Sequence, residues 1–267
     1  MTNSAAFFDL DRTLISGSSA FPVGVEAFRQ DLASNSDVAK WAGAAIAFKL
    51  VGDKGDAASD EVRGDFLTKI AGAPASSVDG LGAATLPKLV AKVRPESRKL
   101  IAMHHDAGRD TYIVSASPDR IVAPLAASLG MTGAIGTKGE IVDGVYTGHL
   151  DGPFVYGEGK VEAIETLASD RSYDLALCYA YSDSISDLPM LETVGHPVAV
   201  NPDSELDSIA HERGWPIVIF ARKTKQMIAV GSAGTITVVS AAVGYLLGRK
   251  HGRSALLAHI AQRELDS

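Results

Sequence analysis

The sequence predicts an α/β protein: a parallel sheet flanked by helices, with an inserted α-helical module and a C-terminal hydrophobic helix. Three observations carry this prediction. Short apolar runs alternate with helix-patterned stretches. Residues 16–93 break that rhythm with helix-like segments and no convincing strand. Residues 227–248 are 22 positions without a charge.

Residues 5–10 (AAFFDL) form an apolar run closing on acidic residues, the pattern of a buried strand whose C-terminal end opens onto a site. Residues 111–115 (TYIVS) and 175–181 (LALCYAY) repeat it, and 198–200 and 217–220 are shorter strands. Helices are expected over 95–107, ended by Gly108, and over 119–129, with Ser117 and Pro118 as cap and first helical residue and Gly130 as stop. Two more cover 160–168 and 203–213, the latter closed by Gly214. Between 16 and 93 the segments 40–51 and 60–71 are helix-like, and the module reads as a lid or cap. Residues 141–150 alternate around Asp143-Gly144, a pair suited to positive φ, and predict a hairpin. His104 and His105 lie on the helix over 95–107 with no ligand partner at suitable spacing and are expected at the surface.

The 267-residue chain is 46% hydrophobic and 21% charged, enough to bury a core and unlike a disordered polymer. A single cysteine, Cys178, excludes an internal disulfide or a multi-thiolate zinc site and suits a reducing cytoplasm. A net charge of −7 argues against nucleic acid as a partner. The charge is uneven: from Arg222 onward seven Lys/Arg face two acids, so the tail is +5 and the preceding 221 residues are −12. No secretory signal pattern opens the chain. The expected division is a core of 1–15 and 94–221, a helical cap of 16–93, and a basic-flanked hydrophobic tail of 222–267.

The chemistry concentrates after the strands. Asp9 and Asp11 lie two apart at the first strand's end, so an extended backbone points both the same way. Ser115 ends the second strand where a hydroxyl and free helix N–H groups can hold an anionic oxygen. Lys160 follows the turn Gly157-Glu158-Gly159. Asp183 and Asp187 follow the third strand in YSDSISD. Four carboxylates at one sheet edge repel one another unless cations sit among them. Lys160 and a hard divalent ion supply that charge, and Mg2+ is favoured over zinc because there is no His/Cys cluster.

These motifs, FDLDRT, VSAS, Lys160 and YSDSISD in that order, resemble those of the haloacid dehalogenase-like superfamily, subfamily IB, with its phosphoserine-phosphatase-like hydrolases and helical cap. The resemblance spans about residues 5–221 and implies a Rossmann-like core. It implies a Mg2+-dependent phosphomonoester hydrolase acting through an aspartyl-phosphate, with Asp9 as nucleophile and Asp11 as general acid/base. Thr13, Ser115, Ala116 and Lys160 would hold phosphoryl oxygens. Asp9, the Asp11 carbonyl and Asp183 would hold Mg2+, with Asp187 in support. Two positions bear on specificity: Ser18 stands nine residues after the nucleophile, where phosphoserine phosphatases place a glutamate, and Arg63 is a candidate carboxylate-binding arginine. Ser182 and Ser184 replace the usual glycines of the last motif, and Ser186 the usual asparagine.

The implied substrate is a small phosphorylated metabolite, phosphoserine-like or with a lipid head group. At 1.5 Å rise per residue, the uncharged tail spans about 33 Å as a helix, enough for a hydrocarbon core of about 30 Å. It reads as a membrane anchor holding a cytoplasmic catalytic domain to the inner face of the plasma membrane, the alternative being a buried or interfacial helix. The competing functional expectation is a membrane-tethered regulatory protein on the same fold, related to septation or differentiation.

Overall fold

The computed structural model describes residues 3–30 and 71–220, together with the backbone of 228–230 and 236–238. The chain divides into two units, 1–220 and 221–267. In the first, a six-stranded parallel sheet runs in the order β3-β2-β1-β6-β7-β8. Its strands are β1 (Ala5–Asp9), β2 (Asp110–Pro118), β3 (Gly133–Thr137), β6 (Tyr179–Ser182), β7 (His196–Val200) and β8 (Ile217–Val218). A separate antiparallel hairpin, β4 (Gly139–Val142) and β5 (Val145–Leu150), turns at Asp143-Gly144 with φ of 51° and 79°, as the turn pair predicts.

Strand β1 is buried along its whole length because both faces of the sheet are covered. Side chains alternate across a strand. Ala6 and Phe8 therefore join one core with Ile113, Leu125 and Val200, while Ala5 and Phe7 join the other with Val114, Ile164 and Leu191. The first face is covered by α1 (Ala20–Arg29), α2 (Ala75–Lys92), α3 (Pro95–Asp106) and α4 (Asp119–Ser128). The second is covered by α5 (Glu158–Arg171), α6 (Leu188–Thr193) and α7 (Ser204–Arg213). At about 25 cal/mol per Å² this burial is the main favourable term holding the layers together.

The chain leaves β1 for β2 and β3 on one side, then crosses back to β6, β7 and β8 on the other. Such a reversal opens a crevice beyond the C-terminal ends of the central strands. Asp9, Ser115 and Asp183 all lie at that end. In register, Asp9 pairs with Val114, and Phe8 with Tyr181.

Both edges of the expected cap are in view. Ile15 and Val93 form an isolated antiparallel bridge, flanked by Ser16 N–H donating to Lys92 O (2.9 Å) and Arg94 N–H to Leu14 O (3.0 Å). Helix α2 lies so close to α4 that a Cβ on Gly82 would come within 2.5 Å of the Arg120 carbonyl. Segments 40–51 and 60–70, with Arg63, lie outside the described residues.

Several local expectations differ from the structure. Residues 175–177 form a 3₁₀ turn capped by the Asp174 side chain, and the strand begins only at Tyr179. Pro118 is the N-cap of α4 with ψ of 139°, not its first helical residue, so Ser117 is released from capping. His104 is fully buried, its Nε2 2.8 Å from the Tyr181 hydroxyl, because Ser97, Ile101 and His104 share the inner face of α3. In the second unit, Ile228–Val230 and Ile236–Val238 pair as short antiparallel strands where a helix is expected. The β-branched run Thr235 to Val239 favours extended backbone. Among the described residues no helix is long and apolar enough to cross a membrane, and the rest of 227–248 lies outside them.

Candidate active site

Asp9 ends β1, and the chain turns at once through Leu10–Leu14. Arg12 adopts φ 61°, ψ −14°, and the turn is pinned by Ile15 N–H to Leu10 O and Arg12 N–H to Gly17 O, both 3.0 Å. A left-handed non-glycine residue costs about 1–2 kcal/mol, so the surrounding bonds hold it there. The turn brings Thr13 back towards the last motif: its Oγ1 donates to Asp183 Oδ1 at 3.3 Å.

Lys160 lies in the first turn of α5, placed by glycines. Gly157 has φ 50°, and a Cβ on Gly159 would stand 1.9 Å from the Phe154 carbonyl, so only glycine allows this approach. The buried ammonium donates to Asp9 Oδ1 (2.7 Å) and lies 2.7 and 2.8 Å from the two oxygens of Asp187. Ser182 Oγ donates to Asp187 Oδ2 at 2.6 Å. Burial works against the charge of Lys160, but Asp187 and Asp9 outweigh it and hold the amine above its ordinary range.

Burial also pushes Asp9 up to about 7, with Asp187 and Asp11 adding to the rise and Lys160 opposing it. Asp183 is raised to about 8, chiefly by burial and then by the charge of Asp9, while Arg12 opposes the rise with its Nε 2.6 Å from Asp183 Oδ2. The loop carrying Asp183 is fixed from the N-terminus of α7: Asp203 N–H donates to the Asp183 carbonyl (2.8 Å), and the Asp203 carboxylate accepts from Ile185 N–H (2.9 Å) and Leu206 N–H (2.9 Å).

Asp11 faces the strand-to-helix linker. Its carboxylate accepts from Ser19 N–H (2.8 Å) and Ser18 Oγ (3.3 Å). Its pKa is raised by loss of surrounding water, against those hydrogen bonds. Ser18 is therefore a partner of Asp11, a contact that its reading as a substrate-selecting position did not anticipate. Ser19 Oγ lies 3.1 Å from Ser117 Oγ, and Ser117 N–H donates to Ser115 Oγ at 3.2 Å, so a polar chain joins the first and second motifs. Ser115 is buried in the C-terminal half of β2, one residue beyond the partner of Asp9, and Ala116 follows it on the same strand.

The structure thus joins Asp9, Lys160 and Asp187 by direct contact, and Thr13 to Asp183. Arg12, Ser19, Ser182 and Asp203 were not anticipated. Ser182 had a signal, since its hydroxyl adjoins the motif aspartate Asp183 at a strand end, and Asp203 had one as the acid that opens the expected helix over 203–213.

Among the described residues no three His, Cys, Asp or Glu side chains converge as a ready-made metal centre. The buried carboxylates of Asp9 and Asp183 offer hard oxygens. Burial and the negative charge of Asp9 destabilise ionised Asp183, so the pair suits a hard divalent cation.

A Rossmann-like sheet with a buried aspartate–lysine–aspartate array at its reversal point defines a hydrolase of a particular family. The profile of haloacid dehalogenase-like hydrolases matches residues 6–192, and the chain belongs to that family. It is 43% identical over 244 residues to a probable phosphatase of Mycobacterium tuberculosis, covering 90% of this chain and 84% of that one. It is 38% identical over 253 residues to a phosphoserine phosphatase of the same organism, covering 94% and 82%. A crystal structure of a protein of unknown function from Bordetella pertussis superposes with a TM-score of 0.70 at 25% identity, over 82% of this chain and 99% of that one.

Proposed function

We propose that this hydrolase is a phosphomonoesterase working through an aspartyl-phosphate on Asp9. The observation that carries the reading is the buried Asp9 carboxylate, held through Oδ1 by Lys160 at the end of β1 and close enough to Asp183 for its charge to act there. Asp9 attacks phosphorus through its second oxygen, and the ester's leaving oxygen takes a proton from Asp11. Asp11, then ionised, removes a proton from water as that water attacks the phosphorus, and inorganic phosphate leaves Asp9 restored. The raised pKa of Asp11 favours the proton it must first donate. Thr13, Ser115, the Ala116 N–H and Lys160 hold the phosphoryl oxygens, where most catalysis of this reaction resides. Asp9, Asp183 and the Asp11 carbonyl would hold Mg2+, whose charge offsets that of the phosphoryl group.

The substrate is a small phosphorylated metabolite. A relative named as a phosphoserine phosphatase supports phosphomonoester chemistry, while the residue at position 18 argues against phosphoserine itself. The Ser18 hydroxyl, engaged with Asp11, offers no negative partner to an ammonium group, which favours esters lacking one. Phosphate release from a panel of monoesters by the full chain with Mg2+, with Asp9→Asn as control, tests the reading. Turnover of at least one ester that vanishes in the variant is expected; undiminished turnover in Asp9→Asn overturns it.

A further inference from the structure

The Asp183 carboxylate has both oxygens engaged: Oδ1 by the Thr13 hydroxyl and Oδ2 by the Arg12 guanidinium at 2.6 Å. We propose that Arg12 is the counter-cation of Asp183 and competes with a divalent ion for that carboxylate. The inference rests on the proposed function only in taking Asp183 as a cation-binding carboxylate.

Both backbones are fixed. Arg12 is locked in its left-handed turn by its N–H to Gly17 O, and Asp183 by the Asp203 N–H to its carbonyl. Exchange must therefore be a side-chain movement. The exposures show which side chain moves: Arg12 is 30% exposed and Asp183 6%. Lys160 cannot substitute, because its ammonium is already shared between Asp9 and Asp187. Without Arg12, Asp183 would be a buried carboxylate beside Asp9 with no cation of its own, a costly arrangement. A divalent ion arriving there meets the ion-paired Arg12 guanidinium, a like charge a few ångströms away. The ion pair thereby opposes binding of a divalent ion at Asp183.

The test is calorimetric titration of MgCl2 into the chelator-treated full chain, comparing wild type, Arg12→Gln and Arg12→Lys, with thermal melts of each with and without Mg2+. Gln and Lys both keep a non-glycine residue in the left-handed turn, so backbone strain is unchanged. Arg12→Gln is expected to bind Mg2+ about tenfold more tightly, the order expected when a neighbouring like charge is removed. It is expected to melt below wild type without metal and to recover the difference with Mg2+, whereas Arg12→Lys stays near wild type. Equal or weaker Mg2+ binding by Arg12→Gln, or the same gain in Arg12→Lys, overturns the proposal. If none of the three binds Mg2+ while Asp9-dependent phosphate release persists, the counter-cation role and the Mg2+ site are refuted and only the aspartyl-phosphate reading stands. If binding follows expectation but no ester is turned over, the proposed function fails and Arg12 keeps its role.

Discussion

Lys160 Nζ and Asp9 Oδ1, 151 residues apart in sequence, are 2.7 Å apart and buried at the reversal point of the sheet. The contact sets the electrostatics of the crevice, since Asp187 shares the same ammonium.

Replacing Lys160 by Met removes the cation and leaves two buried carboxylates facing each other. Breaking a buried ion pair from one side costs about 3–5 kcal/mol. The urea midpoint of Lys160→Met is expected to fall accordingly, with phosphate release lost. Pairing it with Asp187→Asn should recover part of the stability but none of the activity.

Asp11→Asn removes the proton donor and leaves Asp9 in place. Phosphate release from an alkyl ester should fall about 10²–10⁴-fold. An aryl ester with an acidic leaving group needs little protonation, so the first, phosphoryl-transfer step should fall much less. Rapid-mixing measurement of the alcohol or phenol released in the first turnover separates the two; equal losses would contradict the role of Asp11.

Gly159→Ala places a methyl group 1.9 Å from the Phe154 carbonyl by ideal geometry, so the turn before α5 must shift. Overpacking of this kind costs about 1–3 kcal/mol or more, and here it also moves Lys160. Loss of activity exceeding the loss of folded fraction, measured by circular dichroism on the same sample, is the expected outcome. Gly80→Ala, whose nearest neighbour is the flexible end of Gln30 at 3.7 Å, serves as control.

His104 supplies a pH dependence away from the crevice. Burial, then the charges of Arg109 and His105, lowers its pKa to about 4, and Tyr181 and Tyr179 pack against its ring. The unfolded chain takes up its proton near pH 6.5 and the folded protein only near 4, so stability is full above 6.5 and falls as the pH drops through that window. This group alone should make the protein about 2 kcal/mol less stable at pH 5 than at pH 7. Urea melts at the two pH values, with an NMR titration of the His104 ring, check it; a ring that charges near pH 6.5 in the native state would contradict the assignment.

Much of this arrangement is legible in the sequence where local signals and tertiary demands coincide. The run AAFFD is apolar on every residue but its last because both faces are covered, and the acid marks the open end. The glycines before Lys160 announce a tight approach, which Gly159 makes to Phe154. Strand β3 was hidden because Gly133, Ala134 and Gly136 carry little strand preference; Gly136 is there to let α4 approach, its Cβ position lying 2.6 Å from the Asp119 Cα. His104 shares an i, i+4, i+7 face with Ser97 and Ile101, a signal masked by its polarity. The Arg12–Asp183 and Ser19–Ser117 contacts join residues far apart in sequence, and no local pattern encodes them.

The covalent role of Asp9 is tested most directly by acid-quenching the full chain during turnover of a monoester with Mg2+ and mapping the peptides by mass spectrometry. A single phosphoryl group on Asp9, absent from Asp9→Asn, is the predicted result. A phosphoryl group on another residue, or turnover that continues in Asp9→Asn, would contradict it.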